Sequence, residues 1–525
     1  MQIGEKCIIH IDSYSHEGHG IGRVFGSASP ASPDGSPDPA IPAGFVVMVP
    51  GTLRGEDCRI TVTGLHKNYA VASLDSVIKP SESRRRPFCP HFSKCGGCDL
   101  QHMGPNEENY FKESVLKNAL SRIAGLSLDD FEFYPILAMD KPFEYRNIAQ
   151  YHSDGEGHFG FYARSSNEVV DIDFCPIQSR LTNKIFGSVR EFCRENKILF
   201  IKHLIIRVSK HKPEEAMLIF ILNNGLNSSL NSDVDSVDLF KILSPIVAHV
   251  TCKHPECISI YYGSENKNPN KIKYKLISGK ERITERIGNL SFSISCRSFF
   301  QINPVQTEVL YNRILDFAKL TGGEEVYDLY CGTGAISLYL AANSGHTTGR
   351  GRRDRRDGHD RRDDRDSWDD RDSHDGRDGR DDRDNFNDRD FIRITGVELA
   401  ASAAADARLN AKINKIENVS FIEGKSENLS SLIPDISPDN SAVILDPPRA
   451  GCQAKLINTL LKIKPARIIY VSCDPATLAR DLKILTAGNA GDSRNLYFVK
   501  CVQPVNMFPW TRHVETVVLL QRRDT

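Results

Sequence analysis

Residues 321–525 alternate short apolar runs with helical patterns, and small turns separate them. Apolar runs of strand length occupy 326–330, 394–397, 443–445 and 469–472, and helical patterns follow them. Strands that alternate with helices form a parallel sheet covered by helices on both faces. This part of the chain therefore predicts a doubly wound α/β domain. Ligands of such domains bind at the carboxyl ends of the strands.

A glycine turn follows the first strand. The run 326–330 leads into the turn 331–334, Cys-Gly-Thr-Gly, and then into a helix. Glycines at this point let a ligand approach the backbone and let the helix begin close to the sheet. The next strand ends at Glu398, a carboxylate able to bind the hydroxyls of a ribose. Together these features predict a Rossmann-like nucleoside site.

An insertion separates Glu398 from the glycine turn. Residues 350–390 contain 13 Arg and 16 Asp with few apolar side chains, so we predict a disordered spacer over about 346–390. Gly334 and Glu398 lie 64 positions apart, and 19 without the 45 residues 346–390. The shorter spacing is close to the roughly 20 residues of nucleoside-binding domains. The insertion follows a helix and precedes a strand, which places it opposite the ligand crevice.

Two ligands compete for the nucleoside site. A dinucleotide fold prefers a third glycine, whereas this turn continues Ala335-Ile336-Ser337. The difference favours S-adenosylmethionine, which has no pyrophosphate to bind. A further strand ends in Asp446, within a DPPR run of the kind that holds a base near the methyl group in methyltransferases. Glu427 is a candidate contact for the adenine and equally a candidate surface carboxylate.

A cysteine ends the next apolar strand. Cys473 follows the run 469–472, and a helical stretch begins two residues later at Pro475. A thiol at the carboxyl end of such a strand faces the ligand crevice and can act as a nucleophile. The ordinary alternative is a buried cysteine that only packs as a small apolar side chain.

The first 75 residues predict a small β unit. Short strand patterns are separated by glycines and interrupted by a Pro/Ser/Gly-rich loop at 27–42. Small closed barrels often bind oligonucleotides, although many only pack against a neighbouring domain. The stretches 17–23 and 45–56 resemble the TRAM domain, an RNA-binding barrel.

Residues 80–320 predict a central α/β region that contains a cysteine cluster. Cys89, Cys95 and Cys98 lie within one glycine-containing loop, and Cys175 is a candidate fourth ligand. Four thiolates suit either zinc or a [4Fe–4S] cluster. Zinc sites favour paired Cys-x2-Cys sequences, and only one such pair is present among these four.

Composition excludes several classes of protein. The formal net charge of the 525 residues is −1, so an RNA partner would need a local basic patch. The N-terminus lacks a signal-peptide pattern and no apolar run reaches membrane length. With 14 cysteines and no export signal we expect a cytoplasmic protein without membrane partners or a disulfide scaffold. We also expect a monomer.

Six short stretches, in this order, closely resemble the RNA uracil-5 methyltransferases. They are SFFQIN at 298–303, DLYCGTG at 328–334, GVE at 396–398, DPPRAG at 446–451, YVSCDP at 470–475 and HVETVVLL at 513–520. With the barrel and the cysteine segment, the resemblance covers nearly the whole chain apart from the two insertions. The segment before HVE differs, since Asn506 and Trp510 stand where the family has Asp and His.

The resemblance implies a role for each matching residue. Cys473 corresponds to the nucleophile, Glu515 to the general base, and Phe299 to the aromatic side chain that packs on the target uracil. The residues that correspond to the S-adenosylmethionine-binding set are Gln301, Tyr330, Glu398 and Asp446.

The cysteine segment 89–102 resembles the iron–sulfur segment of the same family. The resemblance therefore implies a [4Fe–4S] cluster, held by Cys89, Cys95, Cys98 and Cys175. The barrel and the cluster together resemble the enzymes that methylate 23S rRNA.

The chemistry of uracil methylation explains these residue types. A thiolate that adds to C6 makes C5 nucleophilic, and a carboxylate must then remove the C5 proton. Cytosine-5 methylation also uses a cysteine, and Glu515 taken alone could be a charge on an edge strand. A tRNA T-loop methyltransferase and a non-catalytic RNA-binding protein are the alternative functions.

Overall fold

The computed structural model of the protein describes residues 1–24, 45–211, 213–223, 236–264, 272–344, 392–487 and 496–523. The predicted loop 27–42 and the Arg/Asp-rich insertion 346–390 lie outside these residues. The described residues form a closed barrel, a seven-stranded sheet, a two-stranded hairpin and an eight-stranded sheet. None of their helices is both long and apolar enough to cross a membrane.

Five strands form the N-terminal barrel, in the order β1-β2-β3-β5-β4. They are β1 Lys6–Tyr14, β2 Gly20–Val24, β3 Phe45–Val49, β4 Asp57–Leu65 and β5 Tyr69–Lys79. Alternate side chains such as Ile11, Val47 and Ile60 fill the interior. A Cβ on Gly22 would collide with the carbonyl oxygen of His10, so the close pairing of β1 with β2 requires glycine there. The closed barrel confirms the predicted N-terminal β unit.

The central sheet has the order β13-β12-β11-β10-β7-β8-β9. Its strands are β7 Ile148–Ser153, β8 Phe159–Tyr162, β9 Val169–Asp171, β10 Ile201–Val208, β11 Ala216–Leu222, β12 Cys257–Ser264 and β13 Lys273–Gly279. Every residue of β11 is buried, as its unbroken apolar sequence requires. The helices Arg180–Glu195 and Ser236–Lys253 cover one face of this sheet. A hairpin of β14 Arg282–Ile287 and β15 Leu290–Ser295 follows.

The eight-stranded sheet has the order β18-β17-β16-β19-β20-β22-β21-β6. Its strands are β6 Glu132–Phe133, β16 Glu325–Leu329, β17 Arg393–Glu398, β18 Val419–Glu423, β19 Ser441–Leu445, β20 Arg467–Ser472, β21 Tyr497–Val505 and β22 Glu515–Arg522. The chain runs outward from β16 to β18 and then returns to place β19 on the other side of β16. That reversal creates the crevice in which doubly wound domains bind ligands.

Helices cover both faces of the eight-stranded sheet, which confirms the predicted doubly wound fold. One face packs against Pro304–Ala318, Ala335–Asn343 and Ala401–Ile413. The other packs against Pro105–Arg122, Ala454–Ile463 and Pro475–Ala487. A short helix, Leu429–Leu432, follows the 3₁₀ turn Ser426–Asn428.

The sheet departs from an all-parallel arrangement at one end. The strand β22 is antiparallel to both of its neighbours, β20 and β21. It therefore lies inside the sheet, and the alternative interpretation of Glu515 as a charge on an edge strand is wrong.

The helix Pro105–Arg122 packs with the eight-stranded sheet, although it falls in the range 80–320 that the sequence analysis gave to the central region. Leu116 and Leu120 share a core with Leu478 and Leu482 of the helix Pro475–Ala487. The short strand β6 extends the same sheet beside β21. Residues from the first third of the chain therefore lie beside β21 and the helix Pro475–Ala487, which are close to the C-terminal end of the sequence.

Candidate active site

Four of the predicted site residues meet at the carboxyl edge of the eight-stranded sheet. Tyr330 follows β16, Glu398 ends β17, Asp446 follows β19 and Cys473 follows β20. These four strands are adjacent and parallel, in the order β17-β16-β19-β20. The strand ends therefore form one continuous rim on both sides of the crevice.

Glu515 reaches the same rim from the opposite direction. It is the first residue of β22, whose antiparallel register pairs Thr516 with Ser472. The ladder ends at this pair, and Cys473 and Glu515 are the next residue on either side of it. Glu515 is buried, with 5% of its surface exposed, and after burial its carboxyl group is the largest factor that raises the pKa of the Cys473 thiol. The structure thus places a thiol and a buried carboxyl side by side from residues far apart in sequence.

The turn after β16 has the backbone strain that often marks functional sites. Tyr330 adopts a φ of 67°, a left-handed conformation that costs a non-glycine residue free energy. The amide of Tyr330 donates to the carbonyl of Val397 at 3.0 Å, which ties the turn to the end of β17. At Gly334 a Cβ would lie 2.6 Å from the ring of Phe421, so the helix that starts there requires glycine.

Glu398 and Glu427 both contact this turn. The amide of Gly332 donates to Glu398 Oε2 at 3.0 Å, and the Ala400 amide donates to Oε1 at 2.7 Å. The hydroxyl of Tyr330 donates to Glu427 Oε1 at 3.1 Å. Glu427, a half-buried side chain, therefore belongs to the rim of the site and is not an isolated surface carboxylate.

A buried carboxyl lies beneath the turn. One oxygen of Asp328 accepts from the amide and hydroxyl of Ser337, at 3.1 and 2.5 Å. The other oxygen, Oδ1, is buried and has no hydrogen-bond partner among the described residues. Burial and, secondly, Glu398 raise the pKa of Asp328 to about 7. Asp328 lies within the DLYCGTG motif, but no role for it was predicted from the sequence.

Each of the carboxyl groups Glu398, Asp328 and Asp446 raises the pKa of a neighbouring carboxyl group along the rim. Burial and then Asp328 raise the pKa of Asp446 to about 7. Burial and then Asp446 raise the pKa of Glu515 to about 8, while Arg449 acts to lower it. Closely spaced buried carboxyls cannot all ionise without a compensating cation. The rim is therefore an electrostatically suitable place for a positively charged group.

Arg449, for which no role was predicted from the sequence, is a cation that acts on the Cys473 thiol. Burial and then Glu515 raise the pKa of Cys473 to about 11, and Arg449 acts in the opposite direction. A guanidinium close to a thiol favours the thiolate form. The DPPR sequence contained the signal, because Arg449 follows Asp446 by three residues at the same strand end.

Phe299 and Gln301 lie in the loop between β15 and the helix Pro304–Ala318. Ser298 anchors the loop through a hydrogen bond from its hydroxyl to Asp406 at 2.6 Å. The Asn147 amide donates to the carbonyl oxygen of Gln301 at 3.0 Å. Phe299 is 70% exposed although it is flanked by buried residues. Such an exposed aromatic ring on an anchored loop is available to a ligand.

The helix that follows this loop connects it to the acidic rim. Asn303 caps the helix by accepting from the Gln306 amide, and its own side chain donates to the carbonyl of Met507 at 2.9 Å. Tyr311, about two turns further, is buried, and burial, then Asp446, and less strongly Glu515 raise its pKa. The loop with Phe299 and Gln301 therefore belongs to the wall of the same site.

The four predicted metal-ligating cysteines converge at a second place, where Cys95 pairs with Ala163 beside the central sheet and Cys98 packs with Trp510. Burial is the largest cause that raises the pKa of all four. Cys89 also raises the pKa of Cys95, Cys95 raises those of Cys98 and Cys175, and Cys175 raises that of Cys98. Arg146 faces Cys98 and Cys175, and its buried Nε has no hydrogen-bond partner among the described residues.

Comparison with known proteins identifies the family. The family described as tRNA (Uracil-5-)-methyltransferase matches residues 386–523. A Clostridium acetobutylicum protein named as an uncharacterized RNA methyltransferase is 33% identical over 533 residues, covering 98% of this chain and 97% of that protein. A Clostridium tetani protein of the same description is 32% identical over 488 residues, with 91% of each chain covered.

Among solved structures, the fold resembles the Pyrococcus abyssi tRNA (uracil-54, C5)-methyltransferase in complex with S-adenosyl-L-homocysteine. The TM-score is 0.63 at 23% identity, and the match covers 98% of this chain and 100% of that chain. The sequence relatives, the family match and this shared fold agree with the resemblance found in the six motifs. The chain belongs to the RNA uracil-5 methyltransferase family.

Proposed function

We propose that this enzyme methylates C5 of a specific uridine in RNA through a covalent bond between Cys473 and C6. The observation that carries the proposal is the register of β20 with β22, which sets the Glu515 carboxyl beside the Cys473 thiol. Addition of a nucleophile to C6 and removal of a proton from C5 need these two groups at neighbouring ring positions.

Each residue of the pair has one task in this reaction. The Cys473 thiolate, favoured by Arg449, adds to C6, and the resulting enolate makes C5 nucleophilic. After C5 has been methylated, the Glu515 carboxylate removes the C5 proton, the ring double bond re-forms, and the sulfur leaves C6 as thiolate. Phe299 is available to stack on the extruded base.

The rim fits S-adenosylmethionine as the methyl donor. When bound, this cofactor supplies an electrophilic methyl group on a sulfonium. Glu398 and Tyr330 would hold the nucleoside part, while Asp446 and Gln301 would face the rest of the molecule. The unpartnered Asp328 oxygen and the raised pKa values of Asp328 and Asp446 suit a cationic ligand.

The four cysteines fit a [4Fe–4S] cluster better than zinc. Zinc sites favour paired Cys-x2-Cys sequences, and only the pair Cys95 and Cys98 is present among these four. Four thiolates also suit a [4Fe–4S] cluster, which the resemblance of the segment 89–102 implies. We assign Cys89, Cys95, Cys98 and Cys175 to such a cluster, with a structural role.

A site in 23S rRNA is the proposed target, because the TRAM-like barrel and the cluster of four cysteines occur together in this chain. The fold resemblance to a tRNA (uracil-54, C5)-methyltransferase over the whole chain favours the tRNA T-loop as the second candidate. Mapping 5-methyluridine in both rRNA and tRNA from a deletion strain decides between them. Loss of the modification from tRNA alone would contradict the rRNA assignment.

Trapping with 5-fluorouridine tests the covalent step. Fluorine at C5 cannot be removed as a proton, so we expect an RNA oligomer containing this base to form a stable complex with the wild type. Peptide mapping should locate the cross-link at Cys473. The Cys473→Ala variant should bind RNA but neither methylate nor cross-link it, whereas Cys193→Ala, a buried cysteine elsewhere, should behave as wild type. A methylating Cys473→Ala variant would overturn the proposed mechanism.

A further inference from the structure

A closed polar network lies beneath the segment that leads into Glu515. This segment, here called the connector, comprises residues 506–514 between β21 and β22. Lys112 of the helix Pro105–Arg122 is fully buried, and its ammonium donates to Glu108 Oε1 at 2.8 Å, Asn506 Oδ1 at 2.6 Å and the Phe508 carbonyl at 3.0 Å. All three of its N–H groups are therefore satisfied.

The same network satisfies Glu108. Its Oε1 also accepts from Asn506 Nδ2 at 3.1 Å and from the Trp510 amide at 2.8 Å. Asn506 bridges the ion pair, since it accepts from the cation and donates to the anion. An amide can do both, whereas a carboxylate can only accept.

Stability alone does not explain why the ion pair of Glu108 and Lys112 is buried. Taking two charges out of water is costly, and apolar side chains of similar size often stabilise a protein as well or better. Every bond that Glu108 and Lys112 make outside their own helix ends on the connector. The network therefore fixes the position of that segment relative to the helix.

Other elements hold the connector from its remaining sides. The Asn506 carbonyl accepts from Gln306 at 3.1 Å, and the Trp510 carbonyl accepts from the Asp99 and Leu100 amides at 2.9 and 3.0 Å. The connector ends at the residue before Glu515. Lys112 is also close enough to act on His513, two residues before that carboxyl.

We propose that Glu108, Lys112 and Asn506 are positioning residues, which hold the connector so that Glu515 stands beside Cys473. This inference rests on the proposed role of Glu515 as the base. It assigns the three residues to proton removal from C5 and not to RNA binding or to addition of the thiolate.

Exchanging the carboxylate of residue 108 with the amide of residue 506, one substitution at a time, tests the network. In Asn506→Asp the donor that faces Glu108 becomes an acceptor, so two carboxylates share one lysine and repel each other. We expect turnover to fall by about tenfold or more, while methylated RNA accumulates as a denaturant-stable adduct with Cys473. The adduct accumulates because C6 addition and methylation continue while C5 deprotonation is slowed.

The double variant Glu108→Gln/Asn506→Asp restores one cation, one anion and an amide. We expect it to recover turnover to within about threefold of wild type and to lose the excess adduct. Lys117→Met is the matched control, because Lys117 forms a partly exposed pair with Glu113 on the same helix at the same spacing. It should leave both the adduct fraction and turnover unchanged.

Parallel measurements separate the ways in which this proposal could fail. Glu515→Gln should accumulate the adduct most strongly, and if it does not, the base role itself is wrong. Suppose that Glu515→Gln does accumulate adduct. If Asn506→Asp then loses turnover and adduct together, or if the double variant shows no recovery, only the positioning role is overturned. If Asn506→Asp does not fold, Asn506→Ala can replace it, because alanine removes the bridge without adding charge. We expect Asn506→Ala to show a smaller fall in turnover and a smaller accumulation of adduct.

Discussion

In the proposed reaction Cys473 must lose a proton and Glu515 must accept one, in an environment that disfavours charge on both. Burial raises the pKa of the thiol to about 11 and that of the carboxyl to about 8. A protonated Glu515 does not repel the thiolate while it adds to C6. The same group must be ionised for the later step, so the two steps place opposite demands on one side chain. Arg449 acts on both groups in the direction of ionisation.

The raised pKa of Glu515 predicts a pH-dependent stability. The carboxyl has a value of 4.5 in an unfolded chain and about 8 in the folded protein, so between these values the folded state binds the extra proton. The free energy of unfolding from this group therefore falls as the pH rises from about 4.5 to about 8. Glu515→Gln removes the effect, because glutamine does not titrate.

We expect the stability of Glu515→Gln relative to wild type to increase on going from about pH 5 to about pH 8.5, by an amount on the order of a few kcal/mol. Urea unfolding of the ligand-free proteins at both pH values measures it. The exposed carboxylate variant Glu168→Gln is the control. A relative stability that stays constant or decreases with pH would show that Glu515 is ionised in the folded state.

At the scale of elements, the cysteine loop and the connector form one packed unit. Trp510 lies with Cys98 and Tyr145 in a small apolar core, and Cys175 packs against its edge. The indole of Trp510 donates to the Pro142 carbonyl at 2.8 Å, and the backbone of Trp510 has a φ of 67°. The strained conformation persists because surrounding contacts fix it. A disturbance at the cysteines should therefore reach the connector.

The fluorescence of Trp510 can report this coupling. The chain has two tryptophans, Trp368 and Trp510, so a Trp368→Phe background leaves Trp510 as the single emitter. In that background we expect Cys98→Ser to shift the emission to longer wavelength, because the indole, 1% exposed in the wild type, gains contact with water. Cys252→Ser, at an exposed thiol, should leave the spectrum unchanged. An unchanged spectrum in Cys98→Ser would contradict the coupling.

At the scale of the whole molecule, the helix Pro105–Arg122 links the barrel to the eight-stranded sheet. Arg54 of the barrel pairs with Glu107 of the helix Pro105–Arg122, and Tyr14 donates to the same carboxylate at 2.7 Å. This helix carries the network that fixes the connector. The N-terminal region is thereby joined to the catalytic rim through one helix.

The Arg/Asp-rich insertion should not be needed for catalysis. The described residues that flank it, Ser344 and Ile392, follow the helix Ala335–Asn343 and precede β17. That position is at the amino end of the strands, opposite Cys473. We expect replacement of 346–390 by a short Gly/Ser linker to leave methyl transfer within about twofold and the melting temperature nearly unchanged, since loop length alters stability only slowly. Loss of methyl transfer in a folded deletion variant would show that the segment acts at the site.

The sequence by itself determined where the reactive groups stand along the chain. Apolar runs of strand length, each ending in a glycine turn, a carboxylate or a cysteine, identified Tyr330, Glu398, Asp446 and Cys473 as strand-end residues. Local patterning suffices for this, because the end of a strand is set by its own residues. The doubly wound fold and the small barrel were predictable for the same reason.

Only the tertiary structure decided which of these groups are neighbours. The antiparallel insertion of β22 between β20 and β21 brings Glu515 to Cys473, and no local signal distinguishes it from an edge strand. The pairing of Lys112 with Asn506 spans 394 positions and was invisible in the sequence. Such contacts depend on strand order and register, which arise from the packing of the whole chain and not from the preferences of any one segment.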